Sequence, residues 1–271
     1  MPELPEVETT LRGIAPHVTD RIILECILRT AKLRWPLDPA LCHLLPGQKI
    51  HKVERRAKYL LLSCDQGTII LHLGMSGSLR IVPAGTTERK HDHVDLIFTD
   101  GWCLRFTDPR KFGAFIFTDT DPYSHKLLNK LGPEPLTDAF SGDYLYAAAN
   151  GRKQAIKQFI MDQKTVVGVG NIYASEALFR AGIRPDRAAG RVGLERYKSL
   201  THTIKEILHE AITAGGTTIS DFSQADGKPG YFTQQLQVYG RSGNPCMICG
   251  QPIHSQRLGQ RSTFYCPSCQ T

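Results

Sequence analysis

The last 26 residues of the chain contain the feature that most restricts its fold: four cysteines arranged as two Cys-x2-Cys pairs. Cys246 and Cys249 form the first pair, and Cys266 and Cys269 form the second pair after sixteen intervening residues. Two such pairs at this separation are typical of a tetrahedral zinc site, to which each pair contributes two thiolates from one tight turn. Because four thiolates leave no coordination position for water, the sequence predicts one structural Zn2+ in a segment too small to fold without it.

The remaining sequence predicts a reducing compartment and no membrane segment. The other four cysteines are scattered through apolar stretches, as expected of buried thiols (Cys26, Cys42, Cys64 and Cys103). No run approaches the roughly 20 apolar residues of a membrane helix, and the amino terminus is too acidic for a signal peptide. We therefore expect a cytoplasmic protein with no membrane partner.

Positive charge favours a polyanionic partner. The 271 residues include 33 Lys and Arg against 26 Asp and Glu, which gives a formal net charge of +7. A surplus of this size suits nucleic acid, although many proteins reach it without such a partner. From residue 227 to the end there are four basic residues and no acidic ones, which fits either phosphate contact or a solvated surface of the predicted zinc finger.

The amino-terminal half reads as a helix followed by antiparallel strands. Apolar residues at helical spacing from Leu4 to Ile14 predict the helix. Residues 21–118 are rich in strand patterns, and Asp100-Gly101 is a strong hairpin signal between two of them. An antiparallel sandwich or barrel is the fold that these patterns favour.

The second half reads as helices and ends in the zinc finger. Predicted helices cover 155–163, 172–181 and 194–214, and a polar, glycine-rich stretch at 215–232 suits either a lid or a disordered loop. The sequence thus predicts an α+β multidomain protein. Its predicted domains are residues 1–130, residues 131–235 with a loop at 217–231, and the finger at 236–271.

Two loops and one helix start have the residue types of a DNA-binding surface. Met75 lies in a predicted turn between strands, and Arg110 and Phe112 lie in another, where large side chains suit insertion between unstacked bases or packing on their own domain. In GVGNIYASEALF we expect Asn171 to be the N-cap of a helix whose free N–H groups could bind a phosphate. A capped helix needs no ligand, so each signal alone fits a structural role.

The opening PELPE also has two interpretations. Pro5 suits the first turn of a helix, which would make the stretch simple helix punctuation. Removal of Met1, which a small second residue permits, would leave Pro2 as the amino terminus with the Glu3 carboxylate beside it. The first ten residues alone do not distinguish the two.

Taken together, the motifs resemble those of formamidopyrimidine-DNA glycosylase, a bacterial repair enzyme for oxidised purines. The resemblance extends through almost the whole chain and rests on PELPEVE, RRAKYLLL, HLGMSGSLR, KHDHVDL, TDPRKFG, GVGNIYASE, LQVYGR and QRSTFYCPSCQ. The sister group of endonuclease VIII type usually begins PEGPE, so Leu4 favours the formamidopyrimidine branch. One departure is Gln158, where the family pattern has proline after AIK. The resemblance implies a β-sandwich after the first helix, then a helix–two-turns–helix domain and a zinc finger.

The resemblance also implies a covalent mechanism. It makes Pro2 the nucleophile that displaces the damaged base and forms an iminium with the sugar, and it makes Glu3 a proton carrier. Lys58 and Arg261 are implied in the two successive eliminations that cleave the abasic site. Glu6 is implied more weakly, as a group that orients this site.

The implied partner is double-stranded DNA that contains oxidised purines, and the protein is expected to act as a monomer. The implied DNA contacts come from residues throughout the chain (His72, Met75, His91, Arg110, Phe112, Arg152, Lys157, Asn171 and Tyr239). Among these, the resemblance implies that Met75, Arg110 and Phe112 fill the space of the flipped nucleotide, and that the 217–231 loop covers the base.

Two other functions stay open at this point. A zinc-finger DNA-binding protein without catalysis explains the zinc and the charge, but it gives Pro2, Glu3 and Lys58 no purpose. A glycosylase of the sister group would differ in acting on pyrimidine lesions.

Overall fold

The computed structural model describes residues 2–216 and 235–271, so the predicted 217–231 loop lies outside the described residues. The described chain divides into two compact units. The first contains residues 2–129 and 214–216, and the second contains residues 130–213 and 235–271. The predicted three-domain division, with boundaries after 130 and 235, stays a prediction. Within the described ranges, no helix is both long and apolar enough to cross a membrane.

The first unit is a helix followed by an antiparallel β-sandwich. Its elements are α1 (Leu4–Val18), β1 (Ile23–Leu28), α2 (Leu41–Leu44), β2 (Ile50–Arg56), β3 (Tyr59–Cys64), β4 (Gly67–His72), β5 (Ser78–Pro83), β6 (Asp92–Phe98), β7 (Trp102–Thr107) and β8 (Ala114–Thr118). The strands form two four-stranded sheets, in the orders β1-β6-β7-β5 and β2-β3-β4-β8. The sandwich that the resemblance implied is therefore confirmed.

One apolar core joins the two sheets and α1. It contains Ile14 from α1, Leu62 and Leu71 from one sheet, and Leu96 and Phe106 from the other, each with at most 2% of its surface exposed. Alternate residues of each strand point inward, so both sheets bury one face against the other. The hairpin predicted at Asp100-Gly101 joins β6 to β7.

The second unit contains the helices and the zinc finger. Its elements are α3 (Gly142–Ala149), α4 (Ile156–Met161), α5 (Asn171–Arg180), α6 (Leu194–Thr213), β9 (His254–Leu258) and β10 (Arg261–Tyr265). The three predicted helices are present as α4, α5 and α6, with ends within two residues of the expected ones. Residues 172–179 of α5 are all buried, which explains why six of these eight residues are apolar.

The prediction that Asn171 is the N-cap of α5 was wrong. The N-cap is Gly170, which has extended backbone angles, and Asn171 is the first helical residue. The Asn171 side chain does not cap the helix because its Oδ1 accepts a hydrogen bond from the Lys157 ammonium, 2.7 Å away. A buried cation is a stronger donor than a backbone N–H, and it competes successfully for this amide oxygen.

Candidate active site and zinc centre

Two buried carboxylates stand at the start of α1, directly after Pro2. Glu3 is the N-cap of α1, where its side chain accepts a hydrogen bond from the Glu6 N–H, while the Glu3 N–H donates to Glu6 Oε2 over 2.8 Å. This reciprocal capping box fixes both side chains, and each residue is only 2% exposed. Pro2 is buried as well. The fold therefore holds two potential proton carriers beside the residue whose amine would be free after Met1 is removed.

The chain returns to this site at Gly216. A Cβ at Gly216 would lie 3.2 Å from Glu6 Oε1, and the residue has a φ of +82°, which L side chains rarely adopt. Glycine thus permits the backbone to pass close to the Glu6 carboxylate. The segment predicted as a lid begins at the next residue, which connects it in sequence to the site.

Lys58 lies in the two-residue turn between β2 and β3 and is buried. The turn is tied to α1, because Arg55 donates one hydrogen bond to the Ala57 carbonyl and another to Glu8 Oε2 on the helix, both over 2.9 Å. Ala57 itself has a positive φ of 56°. These bonds fix the turn that carries Lys58 against the helix that carries Glu3.

His72 ends β4 in the same sheet and is held as a neutral imidazole. Its Nδ1 accepts the Gly74 N–H over 2.9 Å, which leaves the proton on Nε2. Burial, together with the nearby positive charges of Lys58 and Arg34, lowers the pKa of His72 to about 4. At neutral pH the side chain therefore offers a phosphate one N–H donor and no charge.

A His72→Asn variant is expected to lose less stability in acid than the parent protein. The folded-state pKa of about 4 lies below the usual 6.5, so the unfolded chain takes up the proton first as the pH falls. The stability contribution is complete above pH 6.5 and is lost as the pH falls through 4. Between pH 7 and pH 4 the parent should lose about 3 kcal/mol more than the variant, as measured by urea unfolding. Equal losses in the two proteins would contradict this assignment.

The two predicted insertion loops lie together at one end of the sandwich. Met75 is in the turn after β4, and Phe112, 46% exposed, is in the loop between β7 and β8. The turns touch through their backbones, since a Cβ on Gly74 would lie 2.5 Å from the Gly113 nitrogen. The Arg110 guanidinium carbon lies 5.1 Å from the centre of the Phe112 ring, so a cation–π contact orients both exposed side chains.

Two further residues predicted to contact DNA are His91, in the first unit, and Arg152, in the second. His91 is half-buried in the turn before β6, and its carbonyl accepts the Asp108 N–H over 3.0 Å. Arg152 is exposed after α3, and its carbonyl accepts the Gly190 N–H over 2.9 Å. The structure thus leaves the Arg152 side chain in solvent, where a phosphate could reach it.

Lys157 is buried, at 1% exposure, in the second unit. Besides Asn171, its ammonium donates to the Ser262 carbonyl over 3.1 Å and to Thr263 Oγ1 over 2.9 Å. These bonds join α4 to the start of α5 and to strand β10. Lys157 therefore orients Asn171 and the β9–β10 hairpin, and its own contact with DNA stays a prediction.

Arg261 is exposed at the tip of this hairpin. It follows a two-residue turn, Gly259-Gln260, in which both residues have a positive φ, as in a type I′ turn. Gln158, at the position where the family pattern has proline, packs its amide against Gly259. Helix α4 thus packs against the turn of the β9–β10 hairpin, while the Arg261 side chain is exposed to solvent.

Glu176 and Tyr239 connect α5 to the segment that leads into the finger. The buried Glu176 carboxylate accepts the N–H groups of Gln237, Val238 and Tyr239 over 2.7 to 3.0 Å. Burial raises the pKa of the Glu176 carboxyl, and the three N–H donors partly oppose the rise. Tyr239 is thereby held with its hydroxyl 3.5 Å from Asn171 Nδ2.

The four predicted zinc ligands converge on one point. Their Sγ atoms all lie within 4.8 Å of one another, with 3.9 Å between Cys246 and Cys269 and 3.5 Å between Cys249 and Cys266. Zn–S bonds of about 2.3 Å in a tetrahedron require sulfur atoms about 3.8 Å apart. The cluster therefore forms the single structural zinc site that the cysteine spacing predicted.

Sequence reasoning missed two buried acids of these sites, Asp108 and Glu176. Glu176 accepts three backbone N–H groups from residues 61 to 63 positions away, and Asp108 accepts the Ser76 hydroxyl from 32 positions away. Partners this far along the chain leave no pattern in the sequence. Glu176 could have been found in the sequence, because it is an acidic residue within the mostly apolar sequence of α5.

Three family models match the chain. They are described as the formamidopyrimidine-DNA glycosylase N-terminal domain, the formamidopyrimidine-DNA glycosylase H2TH domain, and a zinc finger found in FPG and IleRS. The matched residues are 1–115, 131–223 and 243–271. Together they cover most of the chain and support the helix–two-turns–helix and zinc-finger assignments.

Known proteins match over the full length. The formamidopyrimidine-DNA glycosylases of Nitrosococcus oceani and Idiomarina loihiensis are each 56% identical over 270 residues, which is 100% of both chains. The MutM (FPG) protein of Thermus thermophilus superposes with a TM-score of 0.87 at 37% identity, covering 99% of this chain and 98% of that chain. A Lactococcus lactis FPG mutant, solved in complex with a Fapy-dG containing DNA, superposes with a TM-score of 0.92 at 32% identity over 100% of each chain.

Proposed function

The chain belongs to the formamidopyrimidine-DNA glycosylase family, and we propose that it excises oxidised purines from double-stranded DNA and then cleaves the abasic site, acting as a monomer. The substrates are 8-oxoguanine and the formamidopyrimidines. The observation that carries the proposal is the capping box that buries Glu3 and Glu6 directly after Pro2. The capping box stabilises α1 in any case, but it also fixes two carboxylates directly after Pro2, which proton transfer requires and DNA binding alone does not. The Fapy-dG containing DNA bound by the Lactococcus lactis protein supports the same substrate class.

Pro2 supplies the nucleophile once Met1 has been removed. A terminal amine has a pKa near 7.7 to 8.0, against about 10.4 for lysine, so much more of it is neutral near pH 7. The nitrogen attacks the sugar C1′, the bond from C1′ to the base breaks, and the base leaves with a proton. Glu3 carries protons during base loss and opening of the sugar ring, which ends in a Pro2–C1′ iminium.

The iminium then acts as an electron sink for strand cleavage. Loss of a C2′ proton breaks the C3′–O bond and releases the 3′ phosphate, and a second elimination breaks the C5′–O bond. Lys58 transfers a proton in the first elimination. Arg261 stabilises the leaving phosphate in the second, because a guanidinium stays charged and is a poor acid.

The damaged base must leave the duplex before C1′ can be attacked. Met75, Arg110 and Phe112 fill the space that it vacates, and Arg110 faces the unpaired base of the other strand. Cytosine offers the O2 and N3 acceptors to the Arg110 donors, whereas adenine opposes them with an amino group. The remaining DNA contacts follow the backbone (His72, His91, Arg152, Lys157, Asn171 and Tyr239).

An Arg110→Ala variant is expected to lose the preference for a lesion opposite cytosine. Excision opposite cytosine should fall by about tenfold to a hundredfold, as expected for loss of a bidentate base contact, while excision opposite adenine should change little. The measurement is single-turnover excision of 8-oxoguanine in two duplexes that differ only in the opposite base. Arg12→Ala, which removes an exposed arginine from the middle of α1, is the matched control. An unchanged ratio in Arg110→Ala would contradict the role of Arg110.

A lesion panel tests the proposed function itself. Duplexes with 8-oxoguanine opposite cytosine should be cut to leave phosphate on both ends of a one-nucleoside gap. Cleavage only at oxidised pyrimidines would show instead that the protein has the activity of the endonuclease VIII type. Tight binding to every duplex without cleavage would support a non-catalytic zinc-finger protein instead.

A further inference from the structure

Asp108 is a buried carboxylate that joins the two loops carrying Met75, Arg110 and Phe112. The residue has no exposed surface. Its Oδ1 accepts the Ser76 hydroxyl over 3.0 Å, and Ser76 is the residue after Met75. Its Oδ2 accepts the Gly113 N–H over 2.7 Å, and Gly113 is the residue after Phe112. One carboxylate thus bonds to the neighbours of both apolar side chains.

The same carboxylate also holds the backbone of Arg110. The Arg110 N–H lies 3.3 Å from Asp108 Oδ1 and 3.3 Å from Ser76 Oγ, so it is shared between them. The main chain of Asp108 is fixed too, because its carbonyl accepts His93 Nε2 over 3.0 Å and the Lys111 N–H over 3.2 Å. The loop backbone is therefore anchored while its large side chains remain exposed.

There is almost no room for this arrangement to relax. A Cβ on Gly113 would lie 2.6 Å from the Phe106 ring and 3.0 Å from Asp108 Oδ2. Lys111 has a φ of 55°, which a lysine adopts only when its surroundings impose it. Exposed side chains on a backbone this constrained are pre-organised for a single binding geometry.

We propose that Asp108 is a positioning residue that sets the opposite-base preference by fixing the Arg110 backbone relative to the Met75 turn. The proposal rests on the proposed function, and it concerns selectivity within that function. Asp108 touches neither the sugar nor the base. It acts through Arg110. The guanidinium can donate to the O2 and N3 atoms of cytosine only if the Arg110 backbone is held in one position relative to the unpaired base.

An Asp108→Asn substitution isolates this role because it keeps the shape and removes one acceptor. All three groups around the carboxylate present donors, which are the Ser76 hydroxyl and the N–H groups of Arg110 and Gly113. The serine hydroxyl can turn to accept from the new amide, but the two backbone N–H groups cannot. Whichever way the amide is oriented, one of them faces another donor.

The test measures single-turnover excision of 8-oxoguanine opposite cytosine and opposite adenine. The cytosine-to-adenine ratio of rates should fall about tenfold in Asp108→Asn, which corresponds to one unsatisfied buried donor. Ser76→Ala should lower the ratio in the same direction by a smaller factor. Strand cleavage at a preformed abasic site in single-stranded DNA should stay within about threefold of the parent rate, because no opposite base is read there. Fluorescence of 2-aminopurine beside the lesion, which rises on unstacking, should also fall.

Asp100→Asn is the matched control, since Asp100 is a partly exposed turn aspartate of the same sandwich that pairs with Arg21. Its cytosine-to-adenine ratio should equal that of the parent. Equal losses on both duplexes and at the abasic site in Asp108→Asn, with unchanged 2-aminopurine signal, would overturn the proposal and leave Asp108 a structural residue. If Asp108→Asn does not fold, an unchanged ratio in Ser76→Ala overturns it. Absence of excision by the parent protein would instead refute the proposed function.

Discussion

Insertion of one glutamine between Met1 and Pro2 is expected to abolish base excision. The bulky second residue prevents removal of Met1, so the Pro2 nitrogen stays in an amide and has no lone pair for attack on C1′. Activity should fall by at least about three orders of magnitude, since loss of a covalent nucleophile removes the reaction path and not only one contact. The assay is single-turnover excision of 8-oxoguanine opposite cytosine, with affinity for uncleavable abasic-analogue DNA measured in parallel.

Glu3→Gln is the companion variant for this experiment. It keeps the free Pro2 amine and the size of the side chain, and it removes only the carboxylate that carries protons. Its excision rate should fall by about a hundredfold to ten-thousandfold, within the range of general acid–base catalysis. For the first variant, normal excision by the protein with the glutamine inserted before Pro2 would show that Pro2 is not the nucleophile.

Cys249→Ser is expected to remove the zinc and with it the binding of DNA. Zinc binding contributes about 10 to 16 kcal/mol of apparent free energy to folding in small finger peptides, far more than the finger core can replace. The finger core is small, and its buried residues include Val238 and Ile253 against Phe179 of α5. Without zinc the hairpin that presents Arg261 should unfold, and affinity for abasic-analogue DNA should fall by at least about a hundredfold. Zinc content per chain and DNA affinity are the two measurements.

Cys42→Ser is the matched control for the zinc experiment. Cys42 is a partly buried thiol of α2 in the first unit, outside the zinc cluster. The control should keep one zinc per chain and the parent affinity. A Cys249→Ser protein that lacks zinc and still binds DNA normally would show that the finger is dispensable for binding.

Regular patterns made the elements and the metal site predictable from the sequence. The cysteine spacing determines a tetrahedral site almost alone, because each pair must place two sulfur atoms on one ion. The hairpin at Asp100-Gly101 was predictable because a positive φ is needed there, and Gly101 has a φ of +85°. Helix α5 was predicted from its apolar periodicity, but its start was displaced by one residue because Lys157 binds the Asn171 side chain.

Long-range polar contacts of the site could not be predicted in this way. Lys157 and Ser262 are 105 positions apart, and nothing in either local sequence indicates that they meet. The same holds for Asp108 and Ser76, whose hydrogen bond depends on the pairing of β5 with β7, in which Ser78 lies opposite Thr107. Residue types therefore indicated which side chains could contact DNA or transfer protons. Which buried side chains orient them could be seen only in the folded structure.

Borohydride trapping followed by peptide mapping tests the central claim most directly. Borohydride reduces an enzyme–sugar iminium to a stable bond, so reaction with an 8-oxoguanine duplex marks the attacking amine. We predict a crosslink on the peptide that begins Pro2-Glu3, located by mass spectrometry. A crosslink on a lysine such as Lys58 would contradict the covalent role of Pro2, and no crosslink despite tight binding would contradict the covalent mechanism altogether.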